Sequence, residues 1–184
     1  MSDLYRTALA ELGTVMDGID DAAVDEACRM IAGARRIGTY AGGREGLQIK
    51  GFAMRLFHLG AHVGVVGDMT MPALEKGDLF VVSVGPGEIS TALALMGVAR
   101  RDGAKILFIT AQPGGRCAEL SDFVLTIPAQ TMANDQGGAA TSVLPMGSLY
   151  EGALFVLFEV MVLKLRDLMA ASPETMRGNH TNME

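Results

Sequence analysis

Two glycine turns carry the chemistry that this sequence suggests first. They read A-G-G-R-E-G at 41–46 and V-G-P-G-E at 84–88, and each follows an apolar run. Glycine turns that lead into a helix present free backbone N–H groups to an anion. The second turn, however, has Val84, Pro86 and Ile89 where hydroxyl donors are expected. The pattern therefore indicates an anion site without the usual phosphate donors.

Glu151 is the carboxylate best placed for acid–base chemistry. It lies one turn into the apolar segment 148–165, directly after the loop at 144–147. A carboxylate near a helix N-terminus can simply interact favourably with the helix dipole. It can also act as a general base at the mouth of a site, with burial raising its pKa against that dipole. The residue pattern alone leaves both interpretations open.

The three histidines give weaker signals. His58 ends a helical pattern, so we expect it to cap that helix or interact with its dipole, and His62 opens a strand pattern without a further signal. His180 lies in the C-terminal tail, where a histidine is usually solvated. The histidines share no metal-ligand spacing with one another or with Cys28 and Cys117, so we predict no metal site.

Composition limits the class of protein. The 184 residues are enough for one domain with a substantial core. Fifteen basic against twenty-one acidic residues give a net charge of −6, which argues against binding nucleic acid or an anionic membrane. Cys28 and Cys117 show no redox spacing and no hydrophobic signal segment precedes them, so we expect free thiols and a cytoplasmic protein.

The apolar period alternates between strand and helix spacing along the chain, which predicts an α/β fold. We expect a five-stranded parallel sheet between two layers of helices, with helices at 1–34 packing on a domain that spans 35–184 and ends in a helix and tail. The predicted strands cover 36–41, 62–67, 79–84, 105–110 and 123–128. The predicted helices cover 2–17, 20–33, 45–59, 88–102 and 148–165. Asp20 is expected to cap the second helix, Gly60 and Gly103 to end the third and fourth in a left-handed turn, and Ser172-Pro173 to begin a further helix.

A parallel sheet places its ligand crevice at the carboxyl ends of the strands, where both glycine turns lie. The first turn only approximates a dinucleotide-binding motif, because Ala41 replaces its first glycine. Asp68 stands about where a ribose-binding acid would, but Glu45 would bring a carboxylate close to the pyrophosphate. We therefore disfavour a nicotinamide or flavin enzyme and expect no cofactor.

The apolar segment 148–165 also resembles a membrane span. Glu151 and Glu159 interrupt it and Lys164 closes it, so the uninterrupted apolar run is shorter than the ~20 residues that a bilayer needs. We predict a helix buried in the core of an oligomer.

Four motifs resemble the 6-phospho-3-hexuloisomerases, which belong to the sugar isomerase (SIS) superfamily. They are G-F-A-M-R-L-F-H-L-G at 51–60, V-V-G-D-M-T-M-P at 65–72, L-P-M-G-S-L-Y-E at 144–151 and M-R-G-N-H-T-N-M-E at 176–184. The resemblance runs in order from about residue 33 to the C-terminus, and the last two motifs are specific.

The resemblance implies a single SIS domain, a homotetramer without cofactor or metal, and a sugar or sugar derivative as ligand. It implies a reaction that moves a carbonyl between neighbouring carbons through an enediol. Glu151 matches the glutamate of the family's M-G-S-L-F-E and would carry the proton between carbons. His180 matches the histidine of the family's R-H-A-N-L-E and would act on the sugar oxygens, reaching the site of a neighbouring subunit. Arg44 also matches, and could stabilise enediolate charge or hold a substrate oxygen.

Most departures from the family pattern fall in the two turns. The family's G-R-S-G is G-R-E-G at 43–46, so Glu45 replaces a phosphate-binding serine. The family's S-G-S-G-E-T is V-G-P-G-E-I at 84–89, without either serine or the threonine, and Pro86 also lacks a backbone N–H. Asn179 stands where the family has an arginine.

We therefore hypothesise that the substrate end beside Glu45 and Pro86 is not a phosphomonoester but a free hydroxyl or a less polar group. The alternative is that Glu45 turns to solvent or pairs with Arg44, and phosphate still binds through the backbone. The residues expected to bind substrate are Gly43, Arg44, Glu45, Asp68, Thr70, Gly85, Pro86, Gly87, Glu88, Ile89 and Ser90.

Three function classes follow from the sequence. The first is a sugar isomerase whose substrate lacks phosphate at the usual position. The second is a 6-phospho-3-hexuloisomerase with a rearranged phosphate site, which the altered turns disfavour. The third is a non-catalytic SIS protein that binds a sugar derivative, which the presence of Glu151 and His180 disfavours.

Overall fold

Helices and strands alternate along the central part of the chain. The computed structural model describes residues 2–139 and 141–183. The elements are α1 (Ser2–Asp17), α2 (Asp21–Ala32), β1 (Ile37–Ala41), α3 (Glu45–His58), β2 (Val63–Val65), β3 (Leu79–Ser83), α4 (Ser90–Arg101), β4 (Lys105–Thr110), α5 (Arg116–Leu120), β5 (Phe123–Thr126), a short 3-10 helix (Gly137–Ala139), α6 (Ser148–Leu168) and α7 (Pro173–Gly178).

The five strands form one parallel sheet in the order β2-β1-β3-β4-β5. Thr39 on β1 pairs with Val65 on one side and with Val81 on the other. The chain leaves β1 toward one edge of the sheet and returns through β3 toward the other edge. The loops after β1 and β3 therefore diverge, and a crevice opens between them at the carboxyl ends of the strands. The predicted five-stranded parallel α/β fold is confirmed.

The core has one apolar cluster on each face of the sheet. Along β3, Leu79 and Val81 face the cluster shared with α2, α3 and α6, while Phe80 and Val82 face the cluster shared with α4. This alternation follows from the two-residue period of a strand whose two faces are both covered. The N-terminal helices belong to the first cluster, through side chains such as Cys28.

Local capping signals place the ends of several helices. Asp20 accepts the N–H of Ala22 at the start of α2, and Ser172 accepts the N–H of Thr175 at the start of α7. Gly60 and Gly103 follow α3 and α4 with φ of +93° and +90°, the left-handed conformation that stops a helix. These features match the sequence predictions.

Helix α6 packs most of its length into the first cluster. Among its side chains Leu154 and Met161 are buried, whereas Phe155 and Leu163 are exposed. Within residues 2–139 and 141–183, no helix is long and apolar enough to cross a membrane.

Candidate active site

A cavity of about 210 Å³ lies at the crevice between the loops after β1 and β3. Both glycine turns and the first turn of α6 contribute to it, so Arg44, Glu45 and Glu151 lie together at this cavity. Its walls are mixed, with several apolar side chains beside the charged ones. The lining residues are Gly42, Gly43, Arg44, Glu45, Val84, Pro86, Ile89, Thr131, Met132, Met146, Gly147, Tyr150 and Glu151.

Glu45 points into the site and accepts hydrogen bonds from the second turn and from the end of β3. It is the first residue of α3, and its carboxylate accepts the Gly85 N–H at 3.0 Å and 3.1 Å from its two oxygens. The Ser83 hydroxyl donates to its Oε2 atom at 2.7 Å. A backbone N–H and a hydroxyl at the end of a strand are the donors that a bound anion would use. In this chain its own carboxylate uses them.

Two side chains approach Gly85 so closely that a residue with a Cβ atom does not fit there. A Cβ atom on Gly85 would lie 2.9 Å from Cδ1 of Tyr150 and 3.1 Å from Oε1 of Glu45. Any larger residue would push the Tyr150 ring or the Glu45 carboxylate away. Gly85 therefore allows α3 and α6 to pack closely against the end of β3.

The environment of Glu45 raises its pKa. Burial is the largest cause, and the negative charge of Glu151 acts in the same direction. The hydrogen bonds from Ser83 and from the Gly85 N–H lower the pKa but offset only part of the effect. Glu45 is thus a partly desolvated carboxylate held by specific donors.

Ser83 and Tyr150 are site residues that sequence reasoning missed. The Tyr150 hydroxyl lies 3.1 Å from the Ser83 hydroxyl, and both side chains are buried. Burial raises the pKa of Tyr150 well above its ordinary value, with the Glu45 charge as the next cause. The signal that could have found Ser83 is its position as the only polar side chain in the run F-V-V-S-V at 80–84, since a buried hydroxyl needs a partner.

Arg44 holds Glu151 across the cavity. Its Nε atom lies 3.1 Å from Oε1 of Glu151, whose side chain is 18% exposed. Arg44 also donates to the Ser148 hydroxyl at 3.4 Å and to the Met146 carbonyl. Arg44 therefore pairs with Glu151 and not with Glu45, and Glu45 does not turn to solvent.

The pKa of Glu151 is also raised. Burial is the main cause, while the charge and the hydrogen bond of Arg44 lower the pKa and limit the rise. Glu45 and Glu151, both with raised pKa values, thus face one small cavity. The Arg44 guanidinium lies between the loop after β1 and α6, beside Glu151. A carboxylate in such surroundings can exchange a proton with a bound ligand closer to neutral pH than an exposed one.

The chain enters α6 through two residues in the left-handed conformation. Met146 has φ of 55° and Gly147 has φ of 80°. A Cβ atom on Gly147 would lie 3.4 Å from the Met132 nitrogen. This turn sets the direction of the first turn of α6 and so aims Tyr150 and Glu151 at the cavity.

His180 is not brought to this cavity within the chain. Its ring stacks on that of His58 with centroids 5.0 Å apart, and the Asn179 side chain donates to the His58 carbonyl at 3.1 Å. His58 is the last residue of α3, as predicted, and Glu45 is the first. The helix between them is roughly 20 Å long at 1.5 Å per residue, so His180 and Glu45 lie at opposite ends of α3.

Six other predicted residues do not line the cavity. Asp68 and Thr70 are exposed in the loop after β2 and border a separate cavity beside α3. Glu88 turns away to pair with Arg116 at 2.5 Å, and Ser90 is exposed at the start of α4. Gly85 acts through its N–H to Glu45. Gly87, with φ of +91°, shapes the turn, and a Cβ there would lie 2.9 Å from the Gln112 carbonyl.

The described residues contain no cluster of three or more histidine, cysteine, aspartate or glutamate side chains that could hold a metal ion. Cys28 and Cys117 are buried free thiols. Burial raises the pKa of Cys28 to about 11, so this thiol stays protonated and unreactive near neutral pH.

The chain is similar to one protein family and to several proteins of known name. The SIS domain family matches residues 30–156. The 3-hexulose-6-phosphate isomerase of Mycobacterium gastri is 35% identical over 166 residues, which cover 90% of this chain and 82% of that protein. The enzyme of the same name from Methylomonas aminofaciens is 31% identical over the whole of both chains.

A crystal structure of a hypothetical protein from Methanococcus jannaschii has a similar fold. The TM-score is 0.81 with 23% identity, over 99% of this chain and 98% of that one. A molecular function of 3-hexulose-6-phosphate isomerase was inferred for that protein. At this identity the structural likeness supports the fold alone.

Proposed function

This chain belongs to the SIS domain family and, within it, to the 6-phospho-3-hexuloisomerases, and from that membership we propose that it moves a carbonyl between adjacent sugar carbons through an enediolate. It is a sugar isomerase, and its partner is a small-molecule sugar.

Glu151 is the base that carries the proton between the two carbons. Its carboxylate faces the cavity, and its raised pKa makes it a better proton acceptor than an exposed glutamate. Arg44, 3.1 Å away, favours the ionised form of Glu151 and supplies positive charge beside the enediolate. Arg44 therefore serves both the base and the intermediate.

The observation that carries the substrate proposal is the hydrogen bonding of Glu45 to Gly85. A phosphate that used the Gly85 N–H would have to displace a carboxylate from it. A carboxylate about 4 Å from a phosphate repels it by roughly 4 kcal/mol per unit charge at an effective dielectric of about 20. Each lost charge-assisted hydrogen bond costs a further ~1.5–3 kcal/mol. The substrate therefore presents a neutral group here, a hydroxyl that Glu45 can accept or an apolar group beside Val84 and Ile89.

His180 acts on the sugar oxygens in the site of a neighbouring subunit. The far end of α3, where it stacks on His58, is too distant for it to serve its own Glu151. The outer face of α3 supports an assembly, because Leu47, Met54 and Phe57 are 69%, 47% and 52% exposed along one side of the helix. Apolar stripes of this kind are normally covered by another surface. We expect the assembly to be a tetramer.

A second candidate is 3-hexulose 6-phosphate as the substrate, with phosphate bound in a rearranged site. The names of the curated relatives favour it, and so do Ser90 and Thr91, whose exposed side chains lie at the start of α4. This substrate would need Glu45 to be protonated or to move away from Gly85.

The test measures exchange of substrate C–H protons with solvent deuterium over a panel of free and phosphorylated sugars. We expect exchange with a sugar lacking the phosphate, and its loss in Glu151→Gln. We also expect Glu45→Ser to gain affinity for hexose 6-phosphates. Exchange that persists in Glu151→Gln would refute the assignment of the base, and tight binding of hexose 6-phosphates by the parent protein would refute the substrate proposal.

A further inference from the structure

Tyr150, Ser83 and Glu45 form a continuous hydrogen-bonded chain behind the cavity. The Tyr150 and Ser83 hydroxyl oxygens lie 3.1 Å apart, and the Ser83 oxygen lies 2.7 Å from Oε2 of Glu45. Ser83 is fully buried and Tyr150 is 1% exposed. The three residues come from β3, α3 and α6, so the chain links three elements beside the cavity.

The direction of the protons in this chain follows from the chemistry of its members. The Ser83 hydroxyl has one proton, which goes to the Glu45 carboxylate at the shorter distance. Tyr150 must then donate its own proton to the Ser83 oxygen, because two hydroxyls cannot bond through lone pairs alone. Burial raises the pKa of Tyr150 and so keeps this proton in place. Each donor polarises the next, which strengthens the bond to Glu45.

We infer that Tyr150 is a positioning residue that sets substrate specificity, because through Ser83 it holds Glu45 on the Gly85 N–H and so keeps anionic substrate groups out of that position. The inference rests on the proposed function, in which Glu45 excludes phosphate. Tyr150 touches neither the reacting carbons nor their oxygens in this role.

Burial disfavours the ionised form of Glu45, so the carboxylate stays on the Gly85 N–H only if hydrogen bonds hold it there. Its neighbours Gly43 and Arg44 are exposed, so the side chain has solvent close by as an alternative. Without the Tyr150 hydroxyl, the Ser83 hydroxyl would be less polarised and its hydrogen bond to Glu45 would be weaker. A competing anion would then displace Glu45 from Gly85 more easily.

The test uses inorganic phosphate as the probe and calorimetry as the measurement, on the parent protein and four variants. Tyr150→Phe removes the hydroxyl and keeps the ring, and Ser83→Ala breaks the same chain at its middle. Glu45→Ser removes the carboxylate itself. Tyr40→Phe is the control, since the Tyr40 hydroxyl forms no hydrogen bond to any of the described residues.

We expect Tyr150→Phe to bind phosphate about 3- to 10-fold more tightly than the parent, the effect of weakening one hydrogen bond. Ser83→Ala should gain a smaller factor, because it frees Glu45 but also removes a hydroxyl donor that phosphate would use. Tyr40→Phe should bind as the parent does. In a Glu45→Ser background, adding Tyr150→Phe should change phosphate affinity no further, which a purely structural role of the tyrosine would not predict.

The inference and the proposed function fail in different ways. If neither Tyr150→Phe nor Ser83→Ala gains phosphate affinity, the inference is overturned, whatever Glu45→Ser does. If the parent already binds phosphate as tightly as Glu45→Ser, Glu45 excludes nothing and the substrate proposal fails. Melting temperatures of all variants identify any that do not fold, and Ser83→Ala then tests the chain if Tyr150→Phe is lost.

Discussion

The Arg44 guanidinium lies 3.1 Å from the Glu151 carboxylate and joins the loop after β1 to the first turn of α6. A second pair, Arg55 with Glu159 at 3.2 Å, joins α3 to α6 away from the cavity. The two pairs have similar geometry, but only the first one lines the cavity. The Arg55–Glu159 pair is therefore a matched control for the Arg44–Glu151 pair.

Removing Arg44 should move the acid limb of the activity profile toward higher pH. Arg44 lowers the pKa of Glu151, so in Arg44→Gln that pKa rises and the base is lost to protonation at a higher pH. The measurement is kcat against pH for the parent and both variants. Arg55→Gln should keep the parent's acid limb, and an unshifted limb in Arg44→Gln would contradict the role of Glu151 as the base.

Glu45→Gln should change how stability depends on pH. The folded-state pKa of Glu45 is raised above its ordinary value of 4.5, so its contribution to stability is complete below pH 4.5 and is lost as pH rises through the folded pKa. The loss has a slope of up to about 1.4 kcal/mol per pH unit for one proton. We therefore expect the free energy of unfolding of the parent, relative to Glu45→Gln, to fall from pH 4.5 upward.

Urea unfolding at a series of pH values and one protein concentration measures this difference. If the difference in unfolding free energy between the parent and Glu45→Gln stays constant with pH, folding does not change the pKa of Glu45. A difference that grows with pH would mean that the hydrogen bonds from Ser83 and Gly85 outweigh burial.

Short-range patterns explain why much of the fold could be predicted. Buried parallel strands are short apolar runs, so 79–84 predicted β3 (Leu79–Ser83) to within one residue. The helix ends followed from Asp20, Gly60 and Ser172, which act on neighbouring backbone groups. The five-residue helix α5 (Arg116–Leu120) was missed, because one and a half turns carry no periodic signal.

The site was predicted only in part, because its detail depends on contacts between distant segments. The two glycine turns were expected to be neighbours from the rule for parallel sheets, whereas Glu151 was assigned to the site only through its match to the family motif. The direction of Glu45 could not be predicted, since it depends on Ser83 and Gly85, about forty residues away in sequence. Likewise, α4 begins at Ser90 and not at 88, because Glu88 turns away to pair with Arg116.

Mixing two inactive variants should restore activity if His180 serves a neighbouring subunit. Glu151→Gln and His180→Ala chains, co-expressed with different tags and purified through both, would form assemblies in which some sites have both native residues. Random mixing would give about a quarter of the parent's sites in a symmetric assembly. Recovered turnover is the measurement. Each variant alone should be inactive, and no recovery in mixed assemblies would place both groups in one chain or remove His180 from the mechanism.

Gly85→Ala should destabilise the protein and disturb its site, because the new Cβ would lie 2.9 Å from the Tyr150 ring and 3.1 Å from Glu45. Overpacking of this kind costs about 1–3 kcal/mol. Gly97 in α4 is the matched control, since a Cβ there meets nothing within 4 Å and an alanine inside a helix adds about 0.5–1 kcal/mol of stability. Urea unfolding measures both. If Gly85→Ala is as stable as the parent, Tyr150 and Glu45 do not hold the positions on which the exclusion of phosphate depends.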